Sequence, residues 1–405
     1  MVEFSLLLRA LRRHKIIVAI LVLEFAITFA ILSNVFFLTA QRFSTLYQKS
    51  GIQEQRLVIA TLHSDGFGAL LPSSGILDEA KGVVAAVPGV IGVSIVGQTP
   101  FSGNDMWRSK VSRTRGEGGA TVDASTYSGD AQAMSVLGFK ISSGRWFSRE
   151  EFESGGAIPE LSRIHLVLIT RQLANKIFGK TVPLGETLYV TGVPMVVIGV
   201  IDVLSRPAYY GADKSEDAIF LPVIPSSAVT SSVAVRMSDN LRVPVEPAVH
   251  AITSSLQRIL RGRSYWKVSS FQEQRRKYFE TDSAALRVLT LALVAISVVA
   301  LNAISASSGY WVRQRSRHVA IRRAIGATRG QIVAYFLIEN AVICMTGLFV
   351  GASLAVSVNL WMVRNLGVGF IPPSSFAVGA ALLFSIGQAA VLYPSLRMPS
   401  EFGRP

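Results

Sequence analysis

The sequence predicts an α-helical membrane protein with four transmembrane helices, arranged one plus three, and a large extracytoplasmic α+β domain between helices 1 and 2. Three observations predict it. Four long apolar runs punctuate the chain, at residues 16–38, 288–312, 332–363 and 374–396. Between the first two lie 245 residues, Thr39 to Ser283, in which nothing is long and apolar enough to span and short strand and helix patterns alternate. Between the second and third runs, Arg313 to Ile332 carries Arg313, Arg315, Arg317, Arg322, Arg323 and Arg329 with His318 and no acid. Each arginine would cost ~2.5–3.5 kcal/mol at a bilayer centre, so this block cannot sit in lipid. Short basic loops beside spans stay in the cytoplasm, which orients both neighbours. Composition agrees, since 50% hydrophobic and 16% charged residues over 405 positions are too apolar for an ordinary soluble chain. The net charge of +14 lies at span ends and along two polar flanks, with no nucleic-acid-binding pattern. Anionic lipid headgroups are its expected partner, and nucleic acid is excluded.

Taken in order, residues 1–15 form a cytoplasmic amphipathic helix. Phe4, Leu7, Leu8 and Leu11 share one face, and Arg9, Arg12 and Arg13 the other. The first span, 16–38, is longer than the apolar core of a cleavable leader and lacks a small-residue cleavage motif, so it is expected to stay. Its single ionisable residue, Glu24, is costly in lipid and must face other helices. A structural hydrogen bond and a proton or ion relay both remain open. Residues 39–56 are polar and helix-compatible and read as a stalk.

The extracytoplasmic core spans 57–268. Strands are expected at Leu57–Leu62 and Val90–Val96, with a helix between them ending at Pro88-Gly89. Residues 121–137 carry no clear pattern. A turn at 142–151 precedes a strand and helix across 164–179. Gly185 to Val203 reads as a β-hairpin turning at Gly192-Val193-Pro194. Two more strands follow, then a helix that places Val245, Val249, Ile252, Leu256 and Ile259 on one face. That order implies an α+β domain with a mostly antiparallel sheet. A second stalk, 269–287, leads into the second span, 288–312.

Residues 313–331 form the cytoplasmic loop. Val319, Ala320, Ala324 and Ile325 alternate with the charges, so a short amphipathic helix is expected, turned at Gly326, with a new helix starting near Thr328. It reads either as an interfacial anchor or as a docking helix for a cytosolic partner. The third span, 332–363, holds Glu339, the lone cysteine Cys344, and a GxxxG at Gly347 and Gly351 that permits close helix approach. This spacing serves packing within one chain or a dimer face. A short periplasmic loop, 364–373, a fourth span, 374–396, and a cytoplasmic tail, 397–405, complete the order.

The run Ile321, Arg322, Arg323, Ala324, Ile325, Gly326, Ala327, Thr328, followed by Arg329, Gln331 and Ile332, resembles the cytoplasmic signature of FtsX-like permeases. These are membrane subunits of macrolide-exporter (MacB-type), lipoprotein-release and cell-division ABC systems. Gly144-Arg145-Trp146-Phe147, the helix from Leu173 to Gly179 and the Gly185–Val200 hairpin are similar to the periplasmic core of the macrolide-exporter class. The resemblance covers essentially the whole chain. It implies that Ile321 to Thr328 form a coupling helix seated on a cytosolic ABC ATPase dimer. It further implies a second permease, identical or different, and for some members a periplasmic adaptor and an outer-membrane duct. His318, Val319 and Ala320 stand where the family usually has Glu-Ile-Gly, which alters the charge offered to the ATPase.

No GxxxxGK[ST] occurs, so ATP and Mg are expected on a partner ATPase, this chain holding no cofactor and no catalytic residue. The five histidines show no metal-ligand spacing, so no metal is expected. Ser264 and Lys267 match SxxK by letters alone. The expected function is therefore an inner-membrane permease subunit. It would couple ATP hydrolysis elsewhere to movement of its periplasmic domain, for export or efflux of a peptide, antibiotic or similar amphiphile, with both termini cytoplasmic. The alternative is a signalling or scaffold subunit that regulates a cell-wall hydrolase or senses a ligand.

Overall fold

The computed structural model describes residues 15–64, 75–115, 121–154, 163–209, 216–225, 231–239, 245–259, 264–314, 326 and 328–401. The chain forms two compact units, residues 1–47 with 281–405, and Gln48–Glu280. The amphipathic helix expected over residues 1–15 lies, but for Lys15, outside the described residues.

Helix α1 (Lys15–Leu46) opens the first unit. Leu21, Phe25, Phe29, Ser33 and Phe37 recur every fourth residue and are all buried, so α1 presents one continuous packing stripe. Asn34 sits in that stripe because its amide has acceptors, Ala30 O at 2.9 Å and Ala355 O at 3.3 Å.

The second unit is built from strands β1 (Leu57–Ser64), β2 (Val90–Val96), β3 (Arg108–Ser112), β4 (Val122–Ser128), β5 (Ile141–Gly144), β6 (Glu153–Ser154), β7 (Leu166–Thr170), β8 (Thr187–Val190), β9 (Val193–Ile201), β10 (Ala218–Leu221), β11 (Val223–Ile224), β12 (Ser232–Met237) and β13 (Ser264–Ser270). Helices α2 (Ile76–Ala85), α3 (Ala133–Leu137), α4 (Arg171–Phe178), α5 (Val245–Gln257) and α6 (Phe271–Tyr278) are interleaved with them.

Two large sheets and a two-stranded parallel pair, β6 with β11, stand where the order of elements implied one sheet. The first, β13-β1-β12-β2, is antiparallel throughout. On one face Val58, Ala60, Val93, Ile95, Val233 and Val235 meet Leu77, Ala80 and Val84 of α2 and Ile252 and Leu256 of α5. The α5 face read from the sequence is the face that packs, with Val245, Val249 and Ile259 at its margin. The second sheet runs β5-β9-β7-β10-β4-β3-β8, and β8 pairs again with β9. Six strands thus close into a ring with β5 appended, which removes the free edges that invite aberrant pairing. Pairs β7–β9 and β4–β10 are parallel, so the ring is mixed. Parallel pairs join strands distant in sequence, which local patterning cannot register. Leu173, Ala174 and Phe178 of α4 pack with Val167, Ile169, Val190 and Val197 in the ring's core.

The β8–β9 hairpin turns at Thr191-Gly192, one residue before the expected Gly192-Val193-Pro194. Val190 pairs with Val193, and Thr191 (φ 49°) and Gly192 (φ 84°) both adopt positive φ. A two-residue turn with positive φ at both positions matches the twist of the flanking strands. Residues 121–137, patternless in the sequence, supply β4 and α3.

The Gly144-Arg145-Trp146-Phe147 run has a packing role. Gly144 adopts φ +82°, and an added Cβ would lie 2.2 Å from Ile198 O, so only glycine fits there. Arg145 grips Glu151 through two hydrogen bonds at 2.8 and 2.6 Å, which pulls the Glu151 carboxyl down to about 2. Trp146 lies against Phe139, Phe147, Phe152 and Phe220.

Arg236 on β12 is a buried tie between segments. Its guanidinium donates to Gln53 O at 2.9 Å, Gln55 O at 2.6 Å and Val136 O at 2.5 and 2.9 Å. Arg236→Met removes every donor and strands three carbonyls, so the unit is expected to lose about 2–4 kcal/mol. A lowered thermal midpoint of the full chain in detergent, followed by tryptophan fluorescence, checks this.

The first unit resumes with α7 (Glu280–Gln314), α8 (Arg329–Leu366) and α9 (Pro373–Glu401). With α1 they are four helices long and apolar enough to cross a membrane. Gly367, at φ 62°, ends α8 in the left-handed region. Asn359 then accepts from Ile371 N at 3.2 Å and donates to Gly369 O at 3.3 Å, tying the turn into α9. Pro373 starts α9 at the one helical position where its missing N–H costs nothing. Within this unit Arg42 pairs with Asp282.

Candidate functional site: the span seam and its polar residues

The seam between α1 and α8 exists because α8 lacks side chains where α1 approaches. A Cβ at Gly347 would sit 2.5 Å from Phe25 Cβ and 3.1 Å from Val22 O. At Gly351 it would sit 2.7 Å from Ala26 O and 3.0 Å from Ala26 Cα. Both separations are below contact distance, so the two backbones meet there as small-xxx-small spacing permits. Leu21, Phe25, Phe29, Ile343, Cys344, Leu348 and Leu383 form the surrounding core. Gly387 of α9 repeats the device, since its Cβ would meet Cys344 Sγ at 2.8 Å.

Polar groups sit in this apolar seam. Glu339 is fully buried. Its neighbour Asn340 donates to Gly387 O at 3.0 Å, tying α8 to α9. Glu24 shares a turn of α1 with Val22 and Phe25, the residues that meet Gly347. Its Oε1 is enclosed and has no hydrogen-bond partner among the described residues. A group so placed is costly unless matched from outside the described residues.

Of the residues predicted to dock an ATPase, Ile321, Arg322, Arg323, Ala324, Ile325 and Ala327 lie outside the described residues. Gly326 is in a turn with φ 95°. Thr328 caps α8, its N–H donating to Gln331 Oε1 at 2.9 Å and its Oγ1 accepting from Gln331 N at 3.4 Å. The segment therefore ends in a defined helix start at Thr328, near where the sequence places one.

Sequence reading missed the buried charges of the α+β unit. Asp105 is enclosed beside Arg108 and accepts from Ser125 Oγ at 2.8 Å. Burial nonetheless raises its carboxyl above the ordinary range. Asp217 pairs with Lys176 and lies 3.8 Å from Arg206. Asp130 accepts from Ser94 Oγ at 2.7 Å, Ile95 N at 3.2 Å and Gln132 N at 3.0 Å, and pairs with Lys81 at 2.5 Å. Asp105 with Ser125, Asp217 with Lys176 and Arg206, and Asp130 with Lys81 and Ser94 are distant in sequence and meet only through the fold. No cluster of three metal-type ligands occurs among the described residues.

A family model described as MacB-like periplasmic core domain matches residues 17–255, and one described as FtsX-like permease C-terminal matches residues 290–400. The macrolide export ATP-binding/permease protein MacB of Neisseria meningitidis is 27% identical over 248 residues, which is 59% of this chain and 36% of that protein. An uncharacterized ABC transporter permease of Bacillus subtilis, YknZ, is 27% identical over 234 residues, 55% of this chain and 53% of that one. The matched stretches thus span between about a third and about half of these curated relatives. Among solved structures, the periplasmic region of MacB from Actinobacillus actinomycetemcomitans aligns over 57% of this chain and 97% of its own length, with 16% identity and a TM-score of 0.37.

Proposed function

The chain belongs to the MacB-like periplasmic core domain family, with an FtsX-like permease region at its C-terminal side, and on that premise we propose that it is the membrane subunit of an ABC transporter of the mechanotransmission type. A cytosolic ABC ATPase dimer, which binds the ATP and Mg, docks on Ile321 to Thr328. Nucleotide-driven closure moves α1 and α7, and that motion passes to the α+β unit, which expels a peptide, antibiotic or similar amphiphile on the far side. Two permease chains, the same or different, build each complex. The chain lies in a bacterial inner membrane with both termini cytoplasmic and the α+β unit in the periplasm.

The observation that carries this reading is the position of the arginine-rich segment. It falls inside the 290–400 match, between two helices long and apolar enough to span. Positive-inside bias then directs it to the side where an ATPase is found. In this reading the ATPase is a separate chain. The Bacillus relative, moreover, is named as a permease alone, whereas the Neisseria one is named as ATP-binding and permease.

The test is purification of the tagged chain from its native host in mild detergent. A P-loop ATPase recovered at two copies per complex is the expected result. Recovery of a cell-wall enzyme and no ATPase would replace this reading with a signalling one.

A further inference from the structure

The face of the four-stranded sheet turned away from α2 and α5 is the floor of a cleft. Strand alternation sets it, for Val58, Ala60 and Leu62 enter the core and leave Ile59, Thr61 and His63 on the opposite face. Register places Thr61 between Lys267 of β13 and Ser232 of β12. Thr61 Oγ1 and Ser232 Oγ are 2.9 Å apart. One wall is the segment 97–107, and the other is α6, with Gln274, Lys277 and Tyr278. The cavity measures about 490 Å³, a size that suits a small molecule.

The walls are fixed in advance. Gln274 Nε2 donates to Thr99 Oγ1 and to Pro100 O, both at 3.0 Å. Gln98 Nε2 donates to Thr126 O at 2.7 Å. Phe101, behind the wall, is fully buried beside Phe271, Tyr278 and Phe279 under the Arg275 guanidinium.

The chemistry of the lining is one-sided. Among the described residues, Lys267 and Lys277 line the cavity and no Asp or Glu does. Lys277 pairs with Glu273 at 2.8 Å, but that carboxylate also feels Arg276 and Lys267 and is held below its ordinary range, Lys277 contributing most. Among the described residues three cations thus share this acid, and the surplus is positive. Beside them Met106 is 63% exposed, a large apolar side chain left open next to Trp107 and Ile59.

We propose that this cleft binds a small amphiphile with one anionic group, its carboxylate or phosphate held by Lys267 and Lys277 and its apolar or aromatic body laid on Met106 and Trp107. The proposal does not depend on the export reading, because binding to the resting chain tests it without transport.

The experiment uses the full chain in phosphatidylcholine nanodiscs, with empty discs subtracted, titrated with 2-naphthoate, 2-naphthyl phosphate and neutral 2-naphthamide. Saturable binding of an acid, about tenfold or more tighter than the amide, is expected, a difference of at least ~1.4 kcal/mol. The tighter acid identifies the anionic group. Lys267→Gln with Lys277→Gln is expected to weaken that acid about tenfold while leaving the thermal midpoint unchanged. Thr61→Trp, which fills the floor, is expected to weaken all three probes. Equal affinity for acid and amide, undiminished binding by the double lysine variant, or no saturable binding of either acid overturns the proposal.

Discussion

Replacing Gly347 and Gly351 together by leucine is expected to open the α1–α8 seam and collapse the packing of the membrane unit. A lone Cβ at either position already lies within 3 Å of α1, on Phe25 Cβ or Ala26 O, and two of those contacts are with rigid groups. Overpacking costs about 1–3 kcal/mol per site even where neighbours can shift. Here the obstacle at Gly351 is backbone, so the pair should exceed ~3 kcal/mol by the same reckoning. The chain carries its own reporter. Cys344 is the single cysteine and is fully buried in this core. Its labelling by a maleimide in detergent should be slow in the parent and roughly tenfold faster or more in the double variant, the factor that 1.4 kcal/mol of opening produces. Gly347→Ala alone should fall between, since it adds a single Cβ at one of the two contacts. Unchanged labelling in the leucine variant would show that α8 meets α1 elsewhere.

If Ile321 to Thr328 dock an ATPase as proposed, reversing charge at Arg322 and Arg323, both to glutamate, is expected to abolish its co-purification while membrane insertion and Cys344 protection persist. The segment keeps Arg313, Arg315, Arg317 and Arg329, which is ample to preserve the proposed cytoplasmic orientation of the loop. A docking surface, in contrast, loses two favourable charges and gains two repulsive ones. Loss of one charge pair at an interface commonly costs about 2–5 kcal/mol, so two reversals take a micromolar or tighter contact out of a measurable range. Full association of the double variant would assign Ile321 to Thr328 to membrane anchoring instead.

The sequence discloses the four long helices because each carries an apolar run that only a bilayer or a deep core can accept. It likewise discloses the face of α5, whose period is that of a helix against a sheet. It conceals the ring. Strand β4 reads Val-Asp-Ala-Ser-Thr-Tyr-Ser, and Ala124, Ser125 and Thr126 are all buried. Small polar side chains fill that place, so hydrophobic patterning has nothing to detect. Parallel neighbours such as β4 (ending at Ser128) and β10 (starting at Ala218) lie far apart in sequence, and no local signal sets their register. At the seam, the Gly347–Gly351 spacing signals a close approach without specifying which helix approaches. That partner, α1, emerges only from the fold. The cleft was hidden for a related reason. Lys267 and Thr61 are unremarkable alternating strand residues until register lines them up.

Strands β1 and β13 are the first and last of the α+β unit, and they pair antiparallel from Val58↔Ser270 to Ser64↔Ser264. The chain therefore enters and leaves the unit at the same end of one ladder. A force that draws the two connections apart would peel that ladder open one rung at a time, the direction in which a β-sheet yields most easily. A force that carries both connections the same way leaves every rung unstrained. Arg275 stands at the vulnerable end, bonded to Glu54 and to Gln48 O, where a rivet would be set against peeling. As a mechanical part, the unit is stiff when its two ends travel in step and compliant when they diverge.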